Sequence, residues 1–144
     1  SKEISKIYRI NKLFKNSIDE NRKYLKSLYF IPKTKQELQT AVDELCNNRA
    51  VALGKYGHIS LWLTGNITDM SQLFQNKIHF NDCIKDWDTS SVTKMNAIFY
   101  HAKSFNQPLN NWDTSSVTNM ICMFANSNMT LLPIWYTNEI EQMC

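Results

Sequence analysis

One stretch of eleven residues appears twice in this chain. "KDWDTSSVTKM" (residues 85–95) returns as "NNWDTSSVTNM" (residues 110–120), changed only at Lys85/Asn110, Asp86/Asn111 and Lys94/Asn119. The repetition runs well beyond the quoted segment. Trp62, Trp87 and Trp112 recur at a constant step of 25 residues, and so do Met70, Met95 and Met120, and Phe74, Phe99 and Phe124. Ile67/Val92/Val117, Thr68/Thr93/Thr118 and Leu73/Ile98/Met123 keep the same step, Phe80-Asn81 returns as Phe105-Asn106, and Ile59, Ile84, Leu109 and Ile134 make a column of four. A unit this short cannot bury its own apolar face, whereas stacked copies can, each side chain packing on its equivalent one layer along.

Each unit divides in two. The Met-x-x-[Leu/Ile/Met]-Phe half carries apolar residues at i, i+3 and i+4, one face of a short helix, and the preceding threonine suits its N-cap. The other half ("HISLW", "CIKDW", "PLNNW") reads as a short extended segment, with Pro108 tolerated only at its first position. Parallel strands one layer apart would lie about 4.8 Å from one another, turning each column into a ladder of like side chains. Asn81 and Asn106 are expected to satisfy backbone groups at a turn. Asp88 and Asp113 are expected to accept hydrogen bonds from the Ser/Thr hydroxyls and N–H groups that follow them. The fold class predicted is an α/β repeat: a short solenoid with one parallel strand and one short helix per 25-residue unit, an N-terminal helical cap and a basic helical arm.

The pattern "FNQPLNNWDTSSVTNM", followed two residues later by Met-Phe, resembles the BspA-like surface-protein repeats. These are leucine-rich-repeat relatives common in mycoplasma lipoproteins, protists and large DNA viruses. The resemblance covers about residues 30–127 and implies a leucine-rich-repeat-like solenoid serving recognition or surface roles without catalysis. The chain departs from the pattern in carrying "LTGN" (residues 63–66) where the other units have "DTSS", in lacking the lipoprotein secretion signal, and in having few repeats.

Four segments follow. Residues 1–30 form a basic amphipathic arm, with Ile7, Ile10, Phe14, Ile18, Leu25, Leu28 and Tyr29 on its apolar stripe and Lys6, Arg9, Lys12, Lys15, Arg22, Lys23 and Lys26 largely off it. Residues 31–57 form a helical cap opened by the capping box at Thr34–Glu37. A first helix should carry Leu38, Ala41, Val42 and Leu45 inward, and a second, "RAVALGKYG", should end at Gly54 or Gly57. Ser17–Glu20 is a second capping box within the arm. Residues 58–128 are the repeats. Residues 129–144 close the stack as a degenerate half-repeat in which Trp135 comes two positions early and Ile140 and Met143 face inward from a last helical turn.

Charge divides along the same lines. The net charge of +3 conceals ten Lys/Arg against three acids in residues 1–35, so a basic arm sits on a mildly acidic body. The four cysteines show neither C-x-x-C pairing nor regular spacing, and Cys83 and Cys122 read as buried free thiols. The start of the chain lacks a signal-peptide core, and no segment approaches the roughly 20 apolar residues of a membrane span. Read as the natural start, this places the protein inside the cell or in a virion.

Catalytic patterns are not found. His58, His79 and His101 have no acid or thiol at ligand spacing, and three glycines in all leave no phosphate-binding loop. The copied serines of "DTSS" are too regular for a nucleophile. No metal, cofactor or small-molecule substrate is expected. The function expected is therefore a non-enzymatic protein–protein interaction or structural module, a minor structural component of a large virus particle being one setting and a surface adhesion or host-interaction protein the other. Other protein chains, or a larger assembly, are the expected partners. They would meet the positions that vary between units: Lys85, Lys94, Tyr100, His101, Lys103, Asn110 and Asn119. The alternative is a nucleic-acid-binding protein, or one that binds an anionic membrane, through residues 1–30 with the repeats as scaffold.

Overall fold

The computed structural model describes residues 5–7, 9–10 and 29–136. Two α-helices, α1 (Lys35–Asn47) and α2 (Arg49–Tyr56), precede a one-turn 3-10 helix at Ile59–Leu61. Beyond it the repeats form no helix and no sheet among the described residues; the extended pairing consists of two isolated parallel bridges, Asp69–Lys94 and Lys94–Asn119. The expected α/β leucine-rich-repeat-like solenoid, with a strand and a helix per unit, is therefore not what forms. The units do lie on one another, but as layers of coil.

The physical reason lies in where alternate N–H groups point. Met70, Gln72, Phe74 and Asn76 donate to the carbonyls of Lys94, Asn96, Ile98 and Tyr100 at 2.9–3.0 Å. One layer on, Met95, Ala97, Phe99 and His101 donate to Asn119, Ile121, Met123 and Ala125 at 2.8–3.0 Å. An N–H committed to the next layer cannot serve an i→i−4 helical bond. The intervening N–H groups make only short local turns, as from Leu73 to Met70 and from Ile98 to Met95. The turns bring two columns of non-glycine residues to positive φ: Gln72, Ala97 and Cys122 in one, Asn76, His101 and Asn126 in the other. A left-handed residue breaks an α-helix, at a cost of about 1–2 kcal/mol when it carries a Cβ. The apolar spacing i, i+3, i+4 is thus real, but it serves a chain of turns.

Other local expectations change for the same reason. Thr93 and Thr118 do not cap helices; their N–H and hydroxyl groups both bond the carbonyl of the threonine one layer earlier, at 2.7–3.2 Å. The segments before the tryptophans are turns rather than strands, closed by Trp87 N–H to Ile84 and Trp112 N–H to Leu109. The corner carboxylates behave as expected. Asp88 accepts from the N–H and hydroxyl of Ser90 at 3.1 and 2.6 Å, and Asp113 from those of Ser115 at 3.0 and 2.6 Å. Asn81 Oδ1 accepts from Asn106 N–H at 2.9 Å, and Asn106 Oδ1 from Thr130 and Leu131 at 3.0 Å.

Aromatic columns fill the core. Phe74, Phe99 and Phe124 stack with centroids 5.4 and 5.5 Å apart, and Phe80 lies 5.7 Å from Phe105. Trp62 stacks on Trp87 at 6.2 Å, and Trp62, Trp87 and Trp112 are all buried. Burying rings of this size contributes much of the stack's stability.

Both ends are finished differently from the interior. Helix α1 starts at Thr34, whose hydroxyl accepts from Glu37 N–H, and buries Leu38, Ala41, Val42 and Leu45, as expected. Helix α2 ends at Gly57, which holds a φ of +70°. The cap supplies what a preceding layer would: Gln39 Nε2 donates to Leu73 O at 3.0 Å, and Trp62 Nε1 to Gly57 O at 3.2 Å. Phe30 and Tyr56 each meet Trp62 edge-on beside them and lie tilted against one another. The departure "LTGN" has the same origin. Leu63 occupies the position of Asp88 and Asp113 and is buried with Ile7 and Ile10 of the helical residues 5–7 and 9–10. Gly65 leaves room for Asp88, whose Oδ2 would lie 2.9 Å from a Cβ there.

At the other end the register slips by one residue. Tyr136 N–H bonds Pro133 O, as Trp112 N–H bonds Leu109 O, so buried Pro133 fills the column assigned to Ile134, which is 88% exposed. Tyr136 meets Phe124 edge-on at 4.9 Å, while Trp135 supplies the indole bond to Leu109 O at 3.0 Å. Cys122 is disulfide-bonded rather than a free thiol, and Cys83 is free but half-buried. The second capping box at Ser17–Glu20 and the final turn with Ile140 and Met143 lie outside the described residues.

Candidate interaction surface

The positions that vary between units do not all reach outward as free groups. Asn110 is exposed, but its Oδ1 accepts from Ile134 N–H at 2.9 Å and so ties the last turn to the third layer. Asn119 Oδ1 accepts from Ile121 N–H at 3.1 Å while its carbonyl receives Met95 N–H at 2.8 Å. These two asparagines hold the stack. Lys94 sits between Asp69 and Asn119 in the bridged column; its backbone is engaged on both sides and its side chain is exposed.

Tyr100, His101 and Lys103 belong to the outer turn of the middle layer. The Tyr100 and His101 rings lie 4.4 Å apart and both residues are half-buried, while Lys103 is exposed. His101 adopts φ +56°, and its N–H bonds Ala125 O at 3.0 Å, so this imidazole is displayed from a fixed backbone. Lys85 is half-buried on a separate turn, and no hydrogen bond or ion pair joins it to the others among the described residues. On the arm, Lys6 and Arg9 are exposed while Ile7 and Ile10 dock on Leu63; Lys12, Lys15, Arg22, Lys23 and Lys26 lie outside the described residues.

Sequence reading missed the charged clamps between cap and stack. Arg49 grips Asp82 through two bonds of 2.9 and 2.6 Å, which raises the guanidinium pKa further. Lys77 pairs with Asp43 at 2.6 Å, and Lys35 reaches Asp69 at 3.2 Å and the Ser71 hydroxyl at 2.5 Å. Asp69 also receives the N–H and hydroxyl of Ser71 at 2.8 and 2.6 Å. Burial at Asp69 opposes ionisation, but the bonds from Ser71 and Lys35 outweigh it, and the carboxyl is held below its ordinary value. The signal available in sequence was the unlike residue, Asp69, at the head of the Lys94/Asn119 column.

The repeated polar groups are occupied with structure. Ser90 and Ser115 hydroxyls bond the corner carboxylates, and His58 Nδ1 lies 2.7 Å from Ser60 Oγ, closing the 3-10 turn. Among the described residues no group of three or more His, Cys, Asp or Glu converges to hold a metal, and no helix is long and apolar enough to cross a membrane.

A helical cap on layers of coil that repeat every 25 residues defines a tandem-repeat protein whose turns are built to be copied. The chain belongs to the family described as "Mycoplasma protein of unknown function, DUF285", whose model matches residues 41–144. No curated protein and no solved structure matches it.

Proposed function

We propose that this chain is a non-enzymatic module for binding other proteins or building an assembly, related within its mycoplasma-type repeat family to the BspA-like surface proteins. One observation carries the reading: the copied polar groups are spent on holding the layers, whereas Tyr100, His101 and Lys103 differ from their equivalents on an outer turn with a fixed backbone, and Lys94 differs from its equivalents with an exposed side chain in the bridged column. Side chains displayed in this way suit recognition, because they change without disturbing the packed columns. A surface-adhesion or a virion setting is compatible with such a module, and identifying the captured partner distinguishes them.

The test is capture of a partner from the native source, identified by mass, followed by a variant that borrows residues from the neighbouring layers. Tyr100→Gln and His101→Asn place Gln75 and Asn76 equivalents there, and Lys103→Asn copies Asn128. Loss of capture with unchanged thermal unfolding supports the proposal. Unchanged capture, or equal loss of capture and stability, overturns it.

A second reading rests on Lys6 and Arg9, which stay exposed while the apolar side of their turn is docked. It makes the arm a binder of nucleic acid. Retention on DNA should then fall steeply with salt and vanish on deletion of residues 1–30.

A further inference from the structure

The outer turns of the three layers carry no acid. Residues 75–79, 100–104 and 125–129 hold Lys77, His79, His101 and Lys103 but neither Asp nor Glu. Lys77 is paired with Asp43 of α1, whereas Lys103 is exposed and its side chain makes no hydrogen bond or ion pair among the described residues. Lys94, in the bridged column of the same layer, is also exposed and has no ion pair there. One layer earlier, the position of Lys103 is taken by Ile78, which is 48% exposed. The Ser104 N–H bonds Ile78 O at 3.1 Å and holds the two turns side by side. The paired rings of Tyr100 and His101 begin the second of these turns. An apolar side chain, an aromatic pair and an unpaired cation thus share a surface with a fixed backbone.

Resting on the protein-binding reading above, we infer that this patch takes an acidic segment of another protein, with a carboxylate on Lys103 and an apolar neighbour on Ile78 and the Tyr100 ring. The chain's own carboxylates select the occupant. Asp43, Glu44, Asp69 and Asp82 are held by Lys77, Lys55, Lys35 and Arg49. Glu37 accepts from the Lys33 N–H, and Asp88 and Asp113 accept from Ser90 and Ser115. Between Glu37 and Asp113, Asp86 alone makes no such bond among the described residues, and it is half-buried. A second copy therefore brings no free, exposed carboxylate from its described residues, and the partner is a different chain. Complementary charge guides the approach and fixes the register. The tyrosine ring and the isoleucine supply the contact area that such anchors need.

The test is an amide-shift titration by NMR on the intact protein with three synthetic peptides: Gly-Ser-Glu-Leu-Glu-Leu-Ser-Gly, and its versions with glutamine or lysine in place of both glutamates. At millimolar concentration the acidic peptide should shift the amides of Ile78, Tyr100, His101 and Lys103. It should bind about fivefold more tightly than the glutamine version, and the lysine version should not bind. Raising salt from about 50 to about 300 mM should weaken the acidic peptide by about threefold. Lys103→Asn, which copies Asn128, and Lys103→Glu should each weaken it by about fivefold with thermal unfolding unchanged. The inference is overturned if the glutamine peptide binds as tightly, if no peptide shifts the outer turn, or if the shifts centre on Lys6 and Arg9 instead. It is overturned as well if a single-stranded DNA oligonucleotide shifts the same amides more strongly. None of these results decides the broader reading, which stands or falls on partner capture by the variant carrying Tyr100→Gln, His101→Asn and Lys103→Asn.

Discussion

The indole Nε1 of Trp87 donates to the carbonyl of Ile59 at 2.9 Å, one layer and three residues back along the chain. Trp112 makes the same bond to Ile84 O at 3.0 Å. Each tryptophan thus does two things: its ring fills the core, and its N–H locks the register between neighbouring layers.

Trp112→Phe keeps an aromatic ring but leaves the buried carbonyl of Ile84 without this donor. Because Ile84 O still accepts the Trp87 N–H, we expect a loss of about 0.5–1.5 kcal/mol, the net worth of one hydrogen bond, read as a lower midpoint in urea unfolding. Trp62→Phe should cost less, since Gly57 O, its acceptor, belongs to an exposed residue of the cap.

Phe99 lies between Phe74 and Phe124 and also against Phe105, whose centroid is 4.1 Å away. Phe99→Ala should cost about 3–5 kcal/mol, as for large buried rings. Phe124, with one column neighbour and the edge of Tyr136, should cost less when truncated. Equal losses in chemical denaturation would mean that the column does not act as a ladder.

Ala97 holds φ +54° in the middle layer. Glycine accepts this conformation without the Cβ penalty, so Ala97→Gly should stabilise by up to about 1 kcal/mol after its greater unfolded-state entropy is counted. Ala97→Val should destabilise, because a β-branched residue resists the left-handed region. Thermal midpoints of the two variants moving in opposite directions would confirm it.

Asp69 has a carboxyl pKa lowered from 3.8, with burial opposing the shift and the bonds from Ser71 and Lys35 outweighing it. A group whose folded pKa is depressed contributes stability that is complete above its unfolded value and disappears as pH falls through the folded one. The clamp between α1 and the first layer should therefore hold at neutral pH and weaken below pH 3.8. Asp69→Asn should lower stability at pH 7 and flatten its decline under acid, measured as unfolding midpoints from pH 7 to 2.

The N-terminal cap was legible because its signals are local. Thr34 and Glu37 mark the start of α1, Gly57 ends α2, and the inward residues of α1 follow one helical face. The corner carboxylates were legible too, since Asp88 and Asp113 need only their own next residues to be satisfied. The candidate surface was half legible. Variation between units located Lys94, Tyr100, His101 and Lys103, but it could not separate them from Asn110 and Asn119, whose amides bond across or within turns of the stack. The helices expected after Thr68, Thr93 and Thr118 failed because spacing i, i+3, i+4 records which side chains share a face, not which carbonyl an N–H meets.

Sequence alone determined that equivalent residues would lie over one another, since only a stack buries the copied Trp, Met and Phe side chains. Tertiary structure decided what the backbone does within each layer. With alternate N–H groups drawn to the next layer, neither a helix nor a sheet can use them. The one-residue slip that brings Pro133 and Tyr136 into the columns was decided there as well, by contacts with Leu109 and Phe124 that no local pattern announces.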